Sequence, residues 1–189
     1  MFNRDLLLTW GGILRKFQKD QTIFFEGDMA VFYYEIIEGS VKMVNINEDG
    51  KEFIQGMFKR GESFGEPVLL INEPYPATAV ANEDCVLIRI TKENFVRLLK
   101  EYSEIHLSFT QVLAKRLYNK SLMSKEISSY GPEHRIQTLL QILKKNITPA
   151  NADKLKVDLS RQQIADMTGL RVETVIRCMK KMQEKGLLN

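Results

Sequence analysis

From about Ser103 to Ser128 the chain contains neither glycine nor proline. Phe109, Val112, Leu113 and Leu117 recur at three- and four-residue spacing, and Leu122, Met123 and Ile127 resume it, so the pattern predicts one long helix. No other feature limits the fold as much, because such a helix holds apart the segments on its two sides. Its apolar positions fill more than one stripe. One stripe can cover the preceding elements while another pairs with a second copy in coiled-coil fashion. The expectation is a homodimer.

Ahead of this helix, from Gln21 to about Ile90, short apolar runs are broken by turn signals. IIEGSVKMV carries Glu38-Gly39 between two such runs, and VNINEDGKEFI carries Asp49-Gly50, a two-residue hairpin signal. FKRGESFGEP adds two glycines, and VLIRI points Val86, Ile88 and Ile90 to one face. Strands this closely spaced predict a β-barrel or sandwich, with no room between them for parallel crossovers. TKENFVRLLKEY then reads as a short helix with Phe95, Leu98 and Leu99 on one side.

Behind the long helix, Gly131-Pro132 marks a new start, and PEHRIQTLLQILKKN is an amphipathic helix. NITPANADK is a loop of turn formers, whose sequon at Asn146 carries no meaning without secretion. LSRQQIADMTGLRVETVIRCMKKM is the most specific stretch. Ser160 with Gln163 is a capping box, so a helix begins at Arg161. Ile164 and the small Ala165 face inward, Gly169 suits a tight turn, and a second helix starts near Val172. With Val175, Cys178 and Met179 inward, Val172, Glu173, Ile176 and Arg177 face out. This is a helix-turn-helix, whose second helix enters the DNA major groove by its first residues. An exposed arginine bonds guanine O6 and N7, and a glutamate accepts from cytosine N4. Glu173 and Arg177 could also be a surface ion pair, and the motif a purely structural three-helix unit.

Charge favours DNA. Residues 1–102 hold 12 Lys/Arg against 16 Asp/Glu, a net −4, whereas residues 103–189 hold 15 against 8, a net +7. A basic module joined to an acidic one fits a nucleic-acid reader attached to something else. Arg161, Arg171, Lys180, Lys181 and Lys185 surround the second helix. No apolar run approaches the roughly eighteen residues of a membrane span. LLLTW is too short for a secretory core and lacks a cleavage site. Cys85 and Cys178 stand far apart without CxxC spacing, which fits two reduced thiols in a cytoplasmic protein.

FFEGD, YYEIIEGSVKMV, FKRGESFGE, RIQTLLQIL and LSRQQIADMTGLRVETVIR together resemble the Crp/Fnr family of bacterial transcription regulators. The resemblance covers nearly the whole chain. It implies an α+β protein: an effector-sensing, jelly-roll-like β-roll of the cyclic-nucleotide-binding type over residues 1–102, a dimerisation helix over 103–129, and a helix-turn-helix DNA-binding domain over 130–189. The implied DNA-binding residues are Arg161, Gln162, Arg171, Val172, Glu173, Thr174, Ile176, Arg177 and Lys180. The implied partners are a palindromic double-stranded site, a second copy of the chain, a small effector and, for an activator, RNA polymerase. V-E-T-x-x-R in GLRVETVIR is closer to the Fnr branch, since Crp-like members carry an arginine where Val172 stands.

Three departures qualify the resemblance. Cyclic-AMP-binding members follow the Gly-Glu of the phosphate cassette with an Arg-Ser pair; here Gly65-Glu66 is present, but Pro76-Ala77, followed by Thr78, stands at the pair's place. Loss of the guanidinium removes charge-assisted bonds from a buried phosphate, so cyclic AMP is not expected to bind. Lys120-Ser121 stands where the family has its Thr-Ser adenine contacts; Lys120 meets an anionic ligand or is simply a solvated lysine. Two cysteines cannot build the four-cysteine iron–sulfur cluster of the Fnr branch. His106 and His134 are open as haem ligands, or are surface or packing residues. The sequence stops at Leu188-Asn189, so most of the family's usual β-hairpin wing is expected to be lacking.

Two rival functions exist. Gly61-Glu62-Ser63-Phe64-Gly65 matches the G-x-S-x-G elbow of serine hydrolases, but an elbow needs a strand before it and a helix after it, and the surroundings read as all-β. The other rival is a ligand-binding scaffold without DNA binding, which would have no use for an outward Glu173 and Arg177.

Overall fold

The computed structural model describes residues 2–48, 50, 52–145 and 159–187. The turn-former stretch after Lys145, Asp49 of the hairpin signal and the Ile127 side chain lie outside that description. The backbone divides into two compact units, Met1–Leu113 and Ala114–Asn189.

The first unit is built on two four-stranded antiparallel sheets. The strands are β1 (Ile13–Phe17), β2 (Thr22–Phe24), β3 (Phe32–Glu38), β4 (Ser40–Ile46), β5 (Glu52–Lys59), β6 (Ser63–Phe64), β7 (Thr78–Ala81) and β8 (Cys85–Thr91). One sheet runs β1-β8-β3-β6 and the other β2-β7-β4-β5. Helices α1 (Arg4–Thr9), α2 (Glu66–Ile71) and α3 (Lys92–Glu101) complete the unit, and α4 (Ser103–Ser129) begins in it. The sandwich of strands expected from the turn signals is present, and with it the β-roll that the family resemblance implies.

Several details refine the sequence reading. Glu38-Gly39 does not close a hairpin, because β3 and β4 belong to different sheets. Gly39 carries the chain from one sheet to the other with φ of 79°, and a Cβ there would stand 2.5 Å from the Asp84 carbonyl oxygen. β4 and β5 do pair, with Ile46 opposite Glu52. The segment after GESFG is not all-β: α2 begins at Glu66 with Pro67 in its first turn, where the missing amide proton costs nothing. LLLTW, read only as an apolar patch, lies largely in α1, capped by the Asn3 side chain on the Asp5 amide, with Leu7 buried.

β3 is covered on both faces. Tyr34 lies with Phe24, Phe64 and Tyr75, where the Phe24 and Tyr75 rings stack 3.6 Å apart. Tyr33, on the opposite face by the two-residue repeat of a strand, stacks on Phe95 of α3 at 4.1 Å. Phe95, Leu98 and Leu99 are all buried, as their spacing predicts, and Thr91 caps α3 through the Asn94 amide. Phe109 of α4 joins the same core, with Ile105 and Leu113 packed against it.

The second unit holds the rest of α4 with α5 (Pro132–Lys145), α6 (Arg161–Thr168) and α7 (Val172–Glu184). Ile136 and Leu139 of α5, Ile164 and Ala165 of α6, and Val175, Cys178, Met179 and Met182 of α7 form its core, with Met123 of α4 packed against it. Among the described residues no helix is long and apolar enough to cross a membrane.

The crossing at Gly39 generates a first prediction. Gly39→Ala forces a left-handed backbone and a clash with Asp84, and should cost about 2 kcal/mol or more. Urea unfolding followed by the fluorescence of Trp10, the chain's one tryptophan, measures this directly. An unchanged midpoint would show that the crossing tolerates a side chain.

Candidate functional site

Local chemistry sets the geometry of the reading head. The Ser160 hydroxyl accepts from the Gln163 amide at 3.1 Å, and the Gln163 side chain accepts from the Ser160 amide at 2.9 Å. Both orphan donors at the start of α6 are thereby satisfied, which fixes its first residue as Arg161. Gly169 ends the helix in the left-handed region at φ 67°, returning its amide to the Ala165 carbonyl. α7 follows after Arg171, whose side chain makes no capping bond.

Burial then sorts α7 by face. Val175 is wholly buried, with Cys178, Met179 and Met182 close behind. Glu173, Arg177 and Lys180 are exposed, and Ile176 is 51% exposed, a high value for isoleucine in a folded domain. Thr174 is half-buried. Val172 corrects the sequence reading: it is half-buried and packed against the core. It stands three residues before Val175 and so shares the inward stripe. On α6, Arg161 and Gln162 are exposed, but the Gln162 amide donates to buried Asp166 at 2.8 Å. Arg171 is exposed. A salt bridge of 2.7 Å from Lys185 to Glu133 joins the end of α7 to the start of α5. The Lys185 hydrogen bond holds the Glu133 carboxyl below the usual range, with the charges of Lys185 and Lys181 assisting.

In the first unit, Gly65 lies against Tyr75: a Cβ on Gly65 would stand 3.0 Å from the Tyr75 ring and 3.2 Å from Phe24. Gly65 and Glu66 are thus brought close to the segment holding Pro76, Ala77 and Thr78. Glu66 and Ala77 are completely buried. Pro76 is exposed, and its carbonyl accepts from the Asn45 amide at 2.7 Å and the Gln55 amide at 3.5 Å. The Thr78 hydroxyl accepts from the Glu26 amide at 3.0 Å. Burial, above all, pushes the Tyr75 hydroxyl well above its usual range. Asn45, Gln55 and the Phe24–Tyr75 stack escaped sequence reasoning, since no motif marks a pairing between residues twenty or more positions apart. Lys120 and Ser121 belong to the second unit; both are exposed, and the Ser121 hydroxyl donates to the Leu117 carbonyl at 3.0 Å.

Ser63 of GESFG is wholly buried on β6, and its hydroxyl donates to Glu66 at 2.8 Å. A nucleophile elbow instead presents its serine at an exposed turn. His106 and His134 are exposed, the latter stacked on Tyr130 at 4.4 Å. Among the described residues no group of three His, Cys, Asp or Glu side chains could hold a metal ion.

Fold and site together define a helix-turn-helix protein carrying a β-roll of the nucleotide-binding type. A family model for the cyclic nucleotide-binding domain matches residues 14–102, and one for the Crp-like helix-turn-helix domain matches 134–189. The chain belongs to the Crp/Fnr family of DNA-binding transcription regulators. It is 29% identical over 178 residues to the cAMP-activated global transcriptional regulator CRP of Pasteurella multocida, covering 93% of this chain and 85% of that protein. To the cAMP-activated regulator Vfr of Pseudomonas aeruginosa it is 27% identical over 180 residues, covering 93% and 84%. The fold resembles that of FixK2 from Bradyrhizobium japonicum, with a TM-score of 0.78 at 20% identity over 94% of this chain and 87% of that one. It also resembles the c-di-GMP-responsive regulator CLP of Xanthomonas campestris, with a TM-score of 0.75 at 24% identity over 98% and 94%.

Proposed function

We propose that the protein acts in the cytoplasm as a homodimer that lays α7 of each copy in the major groove of a palindromic DNA site. Its β-roll answers to a small effector other than cyclic AMP. The free outer face of α7, backed by a fully packed inner one, carries this reading. Arg177 and Glu173 are exposed there, one turn apart, with the side chains needed to bond a guanine and a cytosine. Ile176 adds an apolar contact suited to a thymine methyl. Arg161, Arg171 and Lys180 supply backbone contacts. By the family resemblance, Arg177 takes the guanine and Glu173 the paired-strand cytosine of a T-G-A core. The half-site is closer to TTGAT than to TGTGA. If the protein activates transcription, RNA polymerase is a further partner.

Exposed apolar residues on α4 support the dimer: Leu107, Leu117 and Tyr118 are 61%, 68% and 62% exposed in the single chain. The pocket supports a different effector. The CRP and Vfr relatives are described as cAMP-activated, but Pro76 brings no guanidinium and its carbonyl is engaged by Asn45 and Gln55. Ala77 brings no hydroxyl.

Selection from random duplexes should return a palindrome with a G·C pair in each half, the half-sites about one helical turn apart. Arg177→Ala should cost on the order of 1–3 kcal/mol at that site and relax the preference there, while Lys180→Ala weakens all sequences alike and flattens the salt dependence. A selected motif lacking the G·C pair refutes the assignment. Leu117→Glu should weaken dimers and DNA binding together, and a monomer at micromolar concentration with DNA affinity intact overturns the dimer. Calorimetry with cyclic AMP should give no micromolar binding; tight binding would contradict the proposed effector class.

A further inference from the structure

We infer that Ser63 is the positioning residue for Glu66, and that Ser63 and Tyr33 pass a change at that carboxylate through buried hydrogen bonds to the N-terminus and the start of α4. The inference rests on the reading of the β-roll as an effector site.

Glu66 follows Gly65 at the start of α2 and is wholly buried. The Ser63 hydroxyl donates to its Oε1 at 2.8 Å. Ser63 stands opposite Glu35 in the β3–β6 pair, on the face that also carries Tyr33, and the Tyr33 hydroxyl donates to Glu35 Oε2 at 2.8 Å. Glu35 is 2% exposed, and its two oxygens accept from the Phe2 amide at 3.2 and 3.3 Å. The Phe2 ring then meets Tyr33 edge-on at 5.5 Å and Phe95 at 6.0 Å, and lies 6.3 Å from Phe109 of α4. Phe95 meets Phe109 edge-on at 5.3 Å. Two hydrogen-bonded pairs, Ser63 with Glu66 and Tyr33 with Glu35, therefore stand side by side between the start of α2 and rings contributed by the N-terminus, β3, α3 and α4.

The protons give the two pairs a direction. Serine and tyrosine hydroxyls each have one proton to donate. Ser63 gives its proton to Glu66, and can give it to Tyr33 only by turning away from Glu66. A hydrogen-bond donor that takes up the Glu66 oxygen releases Ser63 to bond the Tyr33 oxygen. That bond polarises the Tyr33 hydroxyl and strengthens its grip on Glu35, as successive hydrogen bonds do in a low dielectric. No proton changes owner. The consequence arrives at Phe2 and at the rings holding the start of α4. Apolar side chains in place of Ser63 and Tyr33 would fill the same space without this connection, and buried polar groups are costly unless fully bonded. This gives the serine of GESFG a role that needs no nucleophile.

The test uses the full chain, ligand-free, with tyrosine labelled by carbon-13 at Cζ, whose resonance reports hydrogen bonding of the hydroxyl. Tyr33→Phe assigns the Tyr33 signal among the six tyrosines. Glu66→Gln weakens the acceptor and should move the Tyr33 resonance. In a Ser63→Ala background Glu66→Gln should leave it still, and in a Ser63→Thr background, which keeps the hydroxyl, the movement should return. Amide exchange at Phe2 and over residues 105–113 should change about fivefold in Glu66→Gln, the scale of one buried hydrogen bond. An unmoved Tyr33 resonance, or one that moves equally without the Ser63 hydroxyl, overturns the inference. If Glu66→Gln does not fold, as reported by the other five tyrosine signals, Glu66→Asp, which draws the carboxylate back from Ser63, replaces it: the Tyr33 signal must move in it, and must stay still when Ser63→Ala is added. Because no ligand is added, failure to find any effector leaves this result standing, and failure here leaves the effector reading untouched.

Discussion

Strand β3 has no face to water along its middle, and this constraint organises the first unit. Tyr33, Tyr34, Glu35 and Ile36 are all buried in succession. An alternating strand that is covered on both sides needs a sheet against one face and helices against the other. The sheet comes from β2, β7, β4 and β5; the helices are α3 and the first turns of α4, anchored by the stack of Tyr33 on Phe95. Glu35 is the cost of this arrangement. A carboxylate on the helix-facing side has to be bonded where it lies, and Tyr33 and the Phe2 amide provide that bonding.

The reading head was legible in the sequence because its determinants are local. Ser160 and Gln163 are three residues apart, and the turn at Gly169 needs only the conformational freedom of glycine. Phe95, Leu98 and Leu99 were legible for the same reason: a helical stripe is written in consecutive residues. Val172 was misread because a first-turn position can fall on either side of the boundary between inward and outward stripes. What the pattern leaves open in the β-roll is partner choice. Glu38-Gly39 looks the same whether the next strand pairs with its neighbour or crosses to the other sheet. The strand that occupies the neighbouring place, β8, lies some forty-five residues further on. Likewise Phe2 and Glu35 are thirty-three positions apart, and Pro76 meets Asn45 at a separation of thirty-one. Contacts at such range depend on topology, which pattern alone does not specify.

The two units also differ in how their polar groups are used. In the β-roll, buried hydroxyls and carboxylates bond to one another and to loop amides, so a change at one is felt by its neighbours. In the helix-turn-helix, most of the polar side chains point outward and the interior is apolar, apart from Asp166 and Thr168. One unit keeps several polar groups inside, bonded to one another; the other turns most of its described polar groups to solvent.

The half-burial of Val172 bears on how such a reader could acquire a new target. Glu173, Ile176 and Arg177 stand clear of the core, so exchanges there alter the exposed surface of α7 and little else. Position 172 is different. An arginine there would have to lead its stem past the edge of the apolar cluster before its charge reached water, disturbing the packing of Val175 beneath it. A lineage changing this residue would therefore have to adjust the local packing along with the surface. Drift along the outer three positions meets no such barrier.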